Sequence, residues 1–211
     1  ISHGIPYFSE ISGFANLMAT DWSWSPLIED FDGDNDMDIF ISNGIVRRPN
    51  DMDFVNFYAN DINDAGLDTL EFINKMPSGL VSNILGINQG DGTFIKMETG
   101  LPGASTGAAY GDLDNDGDYD LVINNINDFA TILINHSDPQ DFTGIKLTPS
   151  QVSIGAQVNV YQGDLYSTRI IEPVSGFQSM SDHRIIMPVR AELIDSILIK
   201  WPDAVSYTHL R

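Results

Sequence analysis

Apolar residues in this chain fall mostly in short runs separated by turn-forming residues, the pattern of strands rather than of long helices. Trp22, Trp24 and Leu27-Ile28 lead into an acidic stretch, and Ile39-Phe40-Ile41 leaves it, ending at Asn43-Gly44. The same order recurs at Ala108-Ala109-Tyr110, a second acidic stretch, then Leu121-Val122-Ile123 and Asn124-Asn125. A strand, loop, strand unit written twice is an internal repeat and predicts a repeated-blade or solenoid architecture.

Between the repeats the period changes. Phe54, Phe57, Tyr58, Ile62, Leu67, Leu70, Phe72 and Ile73 stand at roughly helical spacing among Asp and Asn, and Pro77-Ser78-Gly79 stops the run, so residues 51–76 read as one or two helices inserted between blades. Asn83 to Asn88 and Thr93 to Lys96 flank Gly90-Asp91-Gly92, a β-hairpin signal because Asp-Gly readily takes positive φ. The polar stretch 136–141 reads as a linker, with a domain boundary near residue 140. Beyond it Gly155 to Tyr161, Ser167 to Ile171 and Ser196 to Trp201 alternate as strands and predict a small sandwich or barrel.

The two acidic stretches share one rhythm. Asp30, Asp32, Asp34, Asp36 and Asp38 alternate with other residues, and 82 residues later Asp112, Asp114, Asp116, Asp118 and Asp120 do the same. Carboxylates at positions 1, 3, 5 and 9 of a tight loop can converge, and the carbonyl at position 7 adds an oxygen; an all-oxygen cage suits a hard cation such as Ca2+. Ca2+ at two sites is therefore the expected cofactor, with the side chains of Asp36 and Asp118 left to face solvent. An EF-hand shares the opening but needs a bidentate Glu at position 12 and flanking helices. Ile41 and Ile123 stand at that position, and β-type sequence follows both loops. Position 6, where the loop turns sharply, holds Asn35 in the first loop and Gly117 in the second.

Composition narrows the partners. Thirty acidic against ten basic residues give a formal charge of -20, so nucleic acid and anionic membranes, which need a basic footprint, are excluded as partners. Ten of the acids lie in the two loops. With no cysteine there are neither disulfides nor thiolate sites, and no apolar run approaches the roughly 18 residues of a membrane span. The start at Ile1 carries neither an initiator Met nor a signal peptide, so the chain reads as a fragment with its targeting segment upstream.

The loops, with Phe31 and Leu113 at position 2, resemble the FG-GAP or VCBS repeats of integrin-like β-propellers. Asn88-Gln-Gly-Asp-Gly-Thr-Phe94 and the strand-end Asn135 are similar to a further element of that repeat. The resemblance covers about residues 4–136 and implies Ca2+ bound by the loop aspartates within each blade; two blades alone cannot close a propeller. Residues 142–203 resemble the ASPIC/UnbV domain through Ile154 to Tyr161, Gly176-Phe-Gln-Ser179 and Ile197 to Asp203, although Ile185-Ile-Met-Pro188 stands where that family usually has an aromatic, glycine-rich stretch. The tail, 204–211, departs from the family and reads as a non-native appendage.

Other chemistry carries less. Gly103-Ala-Ser105-Thr-Gly107 fits a nucleophile pattern, but a β run follows it, and the glycines suit close passage between blades. Ser181-Asp182-His183 places triad residue types side by side in sequence, which does not make them converge. Trp22 and Trp24 share a strand face and suit either core or a sugar platform, and Asn135-His-Ser137 fits a glycosylation sequon. The sequence thus predicts a mainly β protein: partial β-propeller blades (1–137) with Ca2+-binding hairpin loops and a helical insertion, followed by a small all-β sandwich or barrel-like domain (142–203). The expected function is a non-enzymatic, extracytoplasmic binding or scaffold protein for a protein or glycan partner. The alternative is a carbohydrate-active enzyme or its accessory subunit.

Overall fold

The computed structural model describes residues 8–58, 69–137, 142–148, 153–189, 193–203 and 206–210, and the chain is mainly β. Strands β1 (Ser23–Glu29) and β2 (Asp38–Asn43) form a hairpin around the first acidic loop, and β5 (Ile84–Asn88) and β6 (Phe94–Glu98) extend it into a four-stranded antiparallel sheet, β1-β2-β5-β6. Strands β7 (Ser105–Gly111) and β8 (Asp120–Asn125) repeat the hairpin around the second loop, and β9 (Thr131–Leu133) joins them in a three-stranded sheet. The two sheets therefore correspond strand for strand: β1 with β7, β2 with β8 and β5 with β9.

The inserted segment leaves and rejoins the first sheet through a short ladder, β3 (Ile45–Arg47) against β4 (Ser78–Gly79). Within it lie two helices, α1 (Met52–Tyr58) and α2 (Thr69–Lys75). Asp51 Oδ1 accepts the Phe54 amide and caps α1. Phe54 is the buried residue of the pair, its ring 4.7 Å from that of Tyr58 and 5.2 Å from that of Phe72, while Phe57, Leu70 and Ile73 are exposed. The predicted helical stretch 51–76 is thus two helices of seven residues; Ile62 and Leu67 lie outside the described residues. In the β5–β6 hairpin the positive φ angles fall on Gly90 and Gly92, and Asp91 instead accepts hydrogen bonds from the amide and hydroxyl of Thr93.

In the C-terminal region β11 (Gln157–Gln162), β12 (Leu165–Ile170), β14 (Ser196–Lys200) and β15 (Ser206–Leu210) form a sheet of order β12-β11-β14-β15. A two-stranded ribbon, β10 (Thr143–Ile145) with β13 (Ile185–Met187), packs on the same core, and neither sheet closes into a barrel. The predicted boundary near residue 140 lies outside the described residues. The segment read as an appended tail is not loose: Ser206–Leu210 pairs antiparallel with β14 along its length.

The described residues build two cores, and strand β13 belongs to both. Val158, Val160, Ile171, Val189 and Ile199 surround Ile185 and Met187 in the C-terminal core. Leu27, Phe31, Phe40, Ala108, Tyr119, Leu121 and Ile123 surround Ile186 in the core between the first two sheets. Successive residues of a strand face opposite ways, so Ile185-Ile186-Met187, all buried, fills two cores with three side chains. The chain before β13 also docks: Asp182 N donates to Tyr110 O, Tyr110 N donates to Ser181 Oγ, and Phe177 N donates to Ser25 Oγ. Ser181 and Asp182 are thereby committed to the edge of β7. Trp24 packs its ring 5.4 Å from Phe177 and gives its indole N–H to Gly44 O, so it serves packing rather than a sugar platform.

Replacing Ile186 with Ala removes a side chain that both docks β13 and fills the core between the first two sheets. The expected loss is about 2–5 kcal/mol in urea unfolding, with the surroundings of Trp24 and of Trp201 unfolding together in one transition.

Candidate metal centre

Each acidic loop is a hairpin connection whose conformation is set by its own aspartates. Asp30 Oδ1 accepts the amides of Gly33 (2.8 Å) and Asp34 (3.2 Å), and Oδ2 accepts that of Asn35 (2.9 Å). Asp34 Oδ1 accepts the amide of Asp36. In the second loop Asp112 Oδ1 accepts the amide of Asp116, and Asp116 Oδ1 that of Asp118. Carboxylates that fold their own loop inward in this way bring the remaining oxygens together.

The turn positions show how closely the repeats agree. Positive φ occurs at position 4 and position 6 of both loops: Gly33 (78°) and Asn35 (74°) in the first, Asn115 (61°) and Gly117 (100°) in the second. Glycine and asparagine have exchanged places between the copies, and both are residues that tolerate the left-handed region. Sequence reading found position 6 and missed position 4.

Position 9 closes each loop onto the neighbouring strand. Asp38 is fully buried; its Oδ2 accepts Phe31 N (2.9 Å) and its Oδ1 accepts Asn88 N (2.8 Å) at the end of β5. Asp120 is also fully buried and does the same with Leu113 N (2.7 Å) and Asn135 N (2.8 Å) beyond β9. The strand-end asparagines complete the lock: Asn88 Nδ2 donates to Met37 O, and Asn135 Nδ2 donates to Phe31 O and Tyr119 O. The amide of Asn135, the predicted sequon residue, is therefore engaged inside the protein.

One carboxylate oxygen each from Asp30, Asp32 and Asp38 lie within 4.8 Å of one another, as do one each from Asp112, Asp114 and Asp116. Two oxygens bound to one Ca2+ at about 2.3–2.6 Å stand at most about 5 Å apart, so both groups fit a single ion. Of the predicted ligands, Asp34 lies outside the first group and Asp120 outside the second. Asp36 is exposed, as expected for a position that offers its carbonyl. Asp118 is not: it is 5% exposed, and neither of its buried carboxylate oxygens finds a donor, its side-chain neighbour being the carboxylate of Asp116. The expectation that this side chain faces solvent is corrected: Phe142 packs over Gly117, and the Tyr119 hydroxyl donates to Arg184 O and accepts from Ile186 N, so the C-terminal region covers the loop on both sides of Asp118.

The electrostatics follow from crowding without compensation. Burial, followed by repulsion from Asp116, Asp120 and Asp114, pushes the Asp118 carboxyl up to about 7. Asp32 rises to about 6 through desolvation and the charges of Asp38 and Asp34, and Asp30 to about 6 through desolvation that the amides of Asn35 and Gly33 only partly offset. Asp38 and Asp114 are raised as well, in each case by desolvation first. A cation placed among these oxygens would reduce the repulsion that raises them. Hard, charged oxygen donors without nitrogen or sulfur select Ca2+ or a similar hard cation.

Two arginines of the C-terminal region reach these loops, which the sequence did not reveal. Arg169 on β12 gives Nε to Glu29 Oε1 at 2.9 Å in a buried pair, with Nη2 4.0 Å from Asp30 Oδ2. Arg184 gives Nη2 to Asp112 O at 2.9 Å and Nη1 to Asn115 Oδ1 at 3.2 Å.

In the absence of divalent ions, Asp38→Ala strips partners from the amides of Phe31 and Asn88 and is expected to cost about 2–3 kcal/mol. Asp36→Ala, at an exposed position, should stay within about 0.5 kcal/mol. Chemical denaturation in EDTA compares the two.

No curated protein matches the chain. Its C-terminal part does match a known family: residues 148–210 fit the family described as ASPIC and UnbV, a span that takes in β11 to β15, including the strand Ser206–Leu210.

Proposed function

We propose that this chain is a calcium-stabilised binding or scaffold module of the extracytoplasmic space, in which FG-GAP/VCBS-type propeller blades carry an ASPIC/UnbV domain and present a rigid loop-bearing face to a protein or glycan partner. The observation that carries the cation is Asp118, whose two buried carboxylate oxygens have no donor and neighbour the carboxylate of Asp116, one of three converging carboxylates. Unpaired charge in that position is costly, and a divalent ion is the group that relieves it. The strand correspondence of the two sheets, the matching lock of Asp38 with Asn88 and of Asp120 with Asn135, and the shared loop rhythm support reading both sheets as blades of one repeat.

In this reading the ion acts on stability and shape. It draws the loop carboxylates together, fixes the hairpin between the first two strands of a blade, and so holds the loop backbone in one conformation for docking. Filling both sites changes the formal charge only from -20 to -16, so the surface stays acidic and favours partners that are neutral or basic. An affinity on the order of 10⁻⁴ to 10⁻³ M is expected, as in other extracellular calcium modules.

Ca2+ at a hundredfold excess over such a dissociation constant stabilises by about 2.7 kcal/mol per site. For a chain of this size that raises Tm by roughly 5–10 °C per site. Asp116→Ala should abolish the contribution of the second loop while retaining that of the first. Superimposable melting curves of the wild type in Ca2+ and in EDTA would contradict the proposal.

A further inference from the structure

The second loop is gripped from outside by a single guanidinium. Arg184 Nη2 donates to the carbonyl oxygen of Asp112 and lies 3.4 Å from its Oδ2, while Nη1 donates to Asn115 Oδ1. It thus holds position 1, the first ligand, and position 4, one of the two left-handed turn residues. Asp112 is divided between two tasks, its Oδ1 accepting the amide of Asp116 inside the loop and its Oδ2 facing Arg184 outside.

Arg184 is itself held. Its amide donates to Asp182 Oδ1, its Nε lies 3.5 Å from Asp182 Oδ2, and its carbonyl accepts the Tyr119 hydroxyl. The same hydroxyl accepts the amide of Ile186, the β13 residue that fills the blade core. Phe142, which precedes β10, covers position 6: a Cβ on Gly117 would overlap its ring. Contacts from the C-terminal region thus fall on positions 1, 4, 6 and 8 of this loop, and Asp118 at position 7 is the side chain left buried without a donor, against the carboxylate of Asp116.

We propose that the C-terminal region completes the cation site of the second loop, with Arg184 as a positioning residue that holds Asp112 and Asn115 in the ion-binding conformation. Ion binding and docking of β13 then stabilise one another. The inference rests on the reading of the loop as a calcium site. The five aspartates carry a formal charge of -5, and one Ca2+ with Arg184 reduces it to -2, so the arginine assists the ion without overcompensating the cage. Outer partners of this kind orient the inner ligands, and coupling between two binding events is reciprocal. The first loop has a parallel arrangement on β12, where Ser167 Oγ bonds to Asn35 Oδ1 at 2.6 Å and Arg169 approaches Asp30.

The test is a calorimetric Ca2+ titration of the full chain as wild type, Arg184→Gln and Arg184→Lys. Arg184→Gln should weaken one of two sites about tenfold and spare the other, and Arg184→Lys, which keeps a cation facing Asp112, should recover affinity to within about threefold of wild type. In parallel, Ca2+ should slow hydrogen exchange of the Ile186 amide in the wild type and do so less in Arg184→Gln. If Arg184→Gln does not fold, Asn115→Gly, which keeps the turn and removes only the Nη1 acceptor, should still weaken one site. Two-site binding by the wild type with either both affinities unchanged in the variants or both lowered equally overturns the coupling alone. A wild type that binds no Ca2+ overturns the reading of the loops and the coupling with it.

Discussion

Buried carboxylate charge is the constraint around which this structure is arranged. Asp30, Asp38, Asp112, Asp118 and Asp120 are all nearly inaccessible to solvent, in a chain with only ten basic residues to offset thirty acidic ones. Backbone amides neutralise part of the cost: two go to Asp38, two to Asp120 and three to Asp30. Such charge-assisted bonds let a buried acid replace a turn of regular structure, and here they tie each hairpin to its next strand. Arg169 and Arg184 neutralise more. What remains is concentrated at Asp118, whose buried carboxylate has no donor and stands among the charges of Asp116, Asp120 and Asp114.

That arrangement explains why the two parts of the chain are so closely joined. The acidic hairpins sit where the C-terminal region meets the first two sheets, and the joint is both apolar and polar. Ile186 enters the core of the first two sheets with Tyr119 and Phe31, while its strand neighbours Ile185 and Met187 stay in the C-terminal core. Around it, Tyr119 accepts one backbone hydrogen bond and donates another, and burial raises its phenol well above the ordinary range, so it remains a neutral hydroxyl able to do both. The buried pair of Glu29 and Arg169 crosses the same joint; burial raises the Glu29 carboxyl and the adjacent guanidinium opposes that shift. Removing either partner would strand a charge, which ties the two regions more tightly than apolar contact alone.

Features whose physics is local could be read directly from the residues. The spacing of the aspartates, the β runs on either side, and the exclusion of an EF-hand by Ile41 and Ile123 all depend on neighbours within about a dozen residues. Asn88 and Asn135 were also identifiable as part of the repeat, although only the structure reveals that each holds the closing aspartate of its loop. Contacts between distant residues were hidden. Arg184 meets Asn115 across 69 positions and Arg169 meets Glu29 across 140, and neither arginine belongs to a pattern that marks its partner. Strand β13 was obscure for a related reason, since three consecutive apolar residues give no period from which two opposite burial faces can be inferred. The exposure of Asp118 was misjudged because loop position predicts which backbone atoms converge, and burial of a side chain depends on what packs over the loop.

The most direct test of the central claim is crystallographic: crystals grown with Ca2+, and again with a lanthanide in its place, with anomalous differences measured for both. The account predicts one peak in each loop, at about 2.3–2.6 Å from oxygens of the converging aspartates, with Asp118 in the second loop drawn to the ion directly or through a bound water. Clean density for both loops with no ion, and Asp118 protonated and hydrogen-bonded to a neighbouring carboxylate, would contradict it.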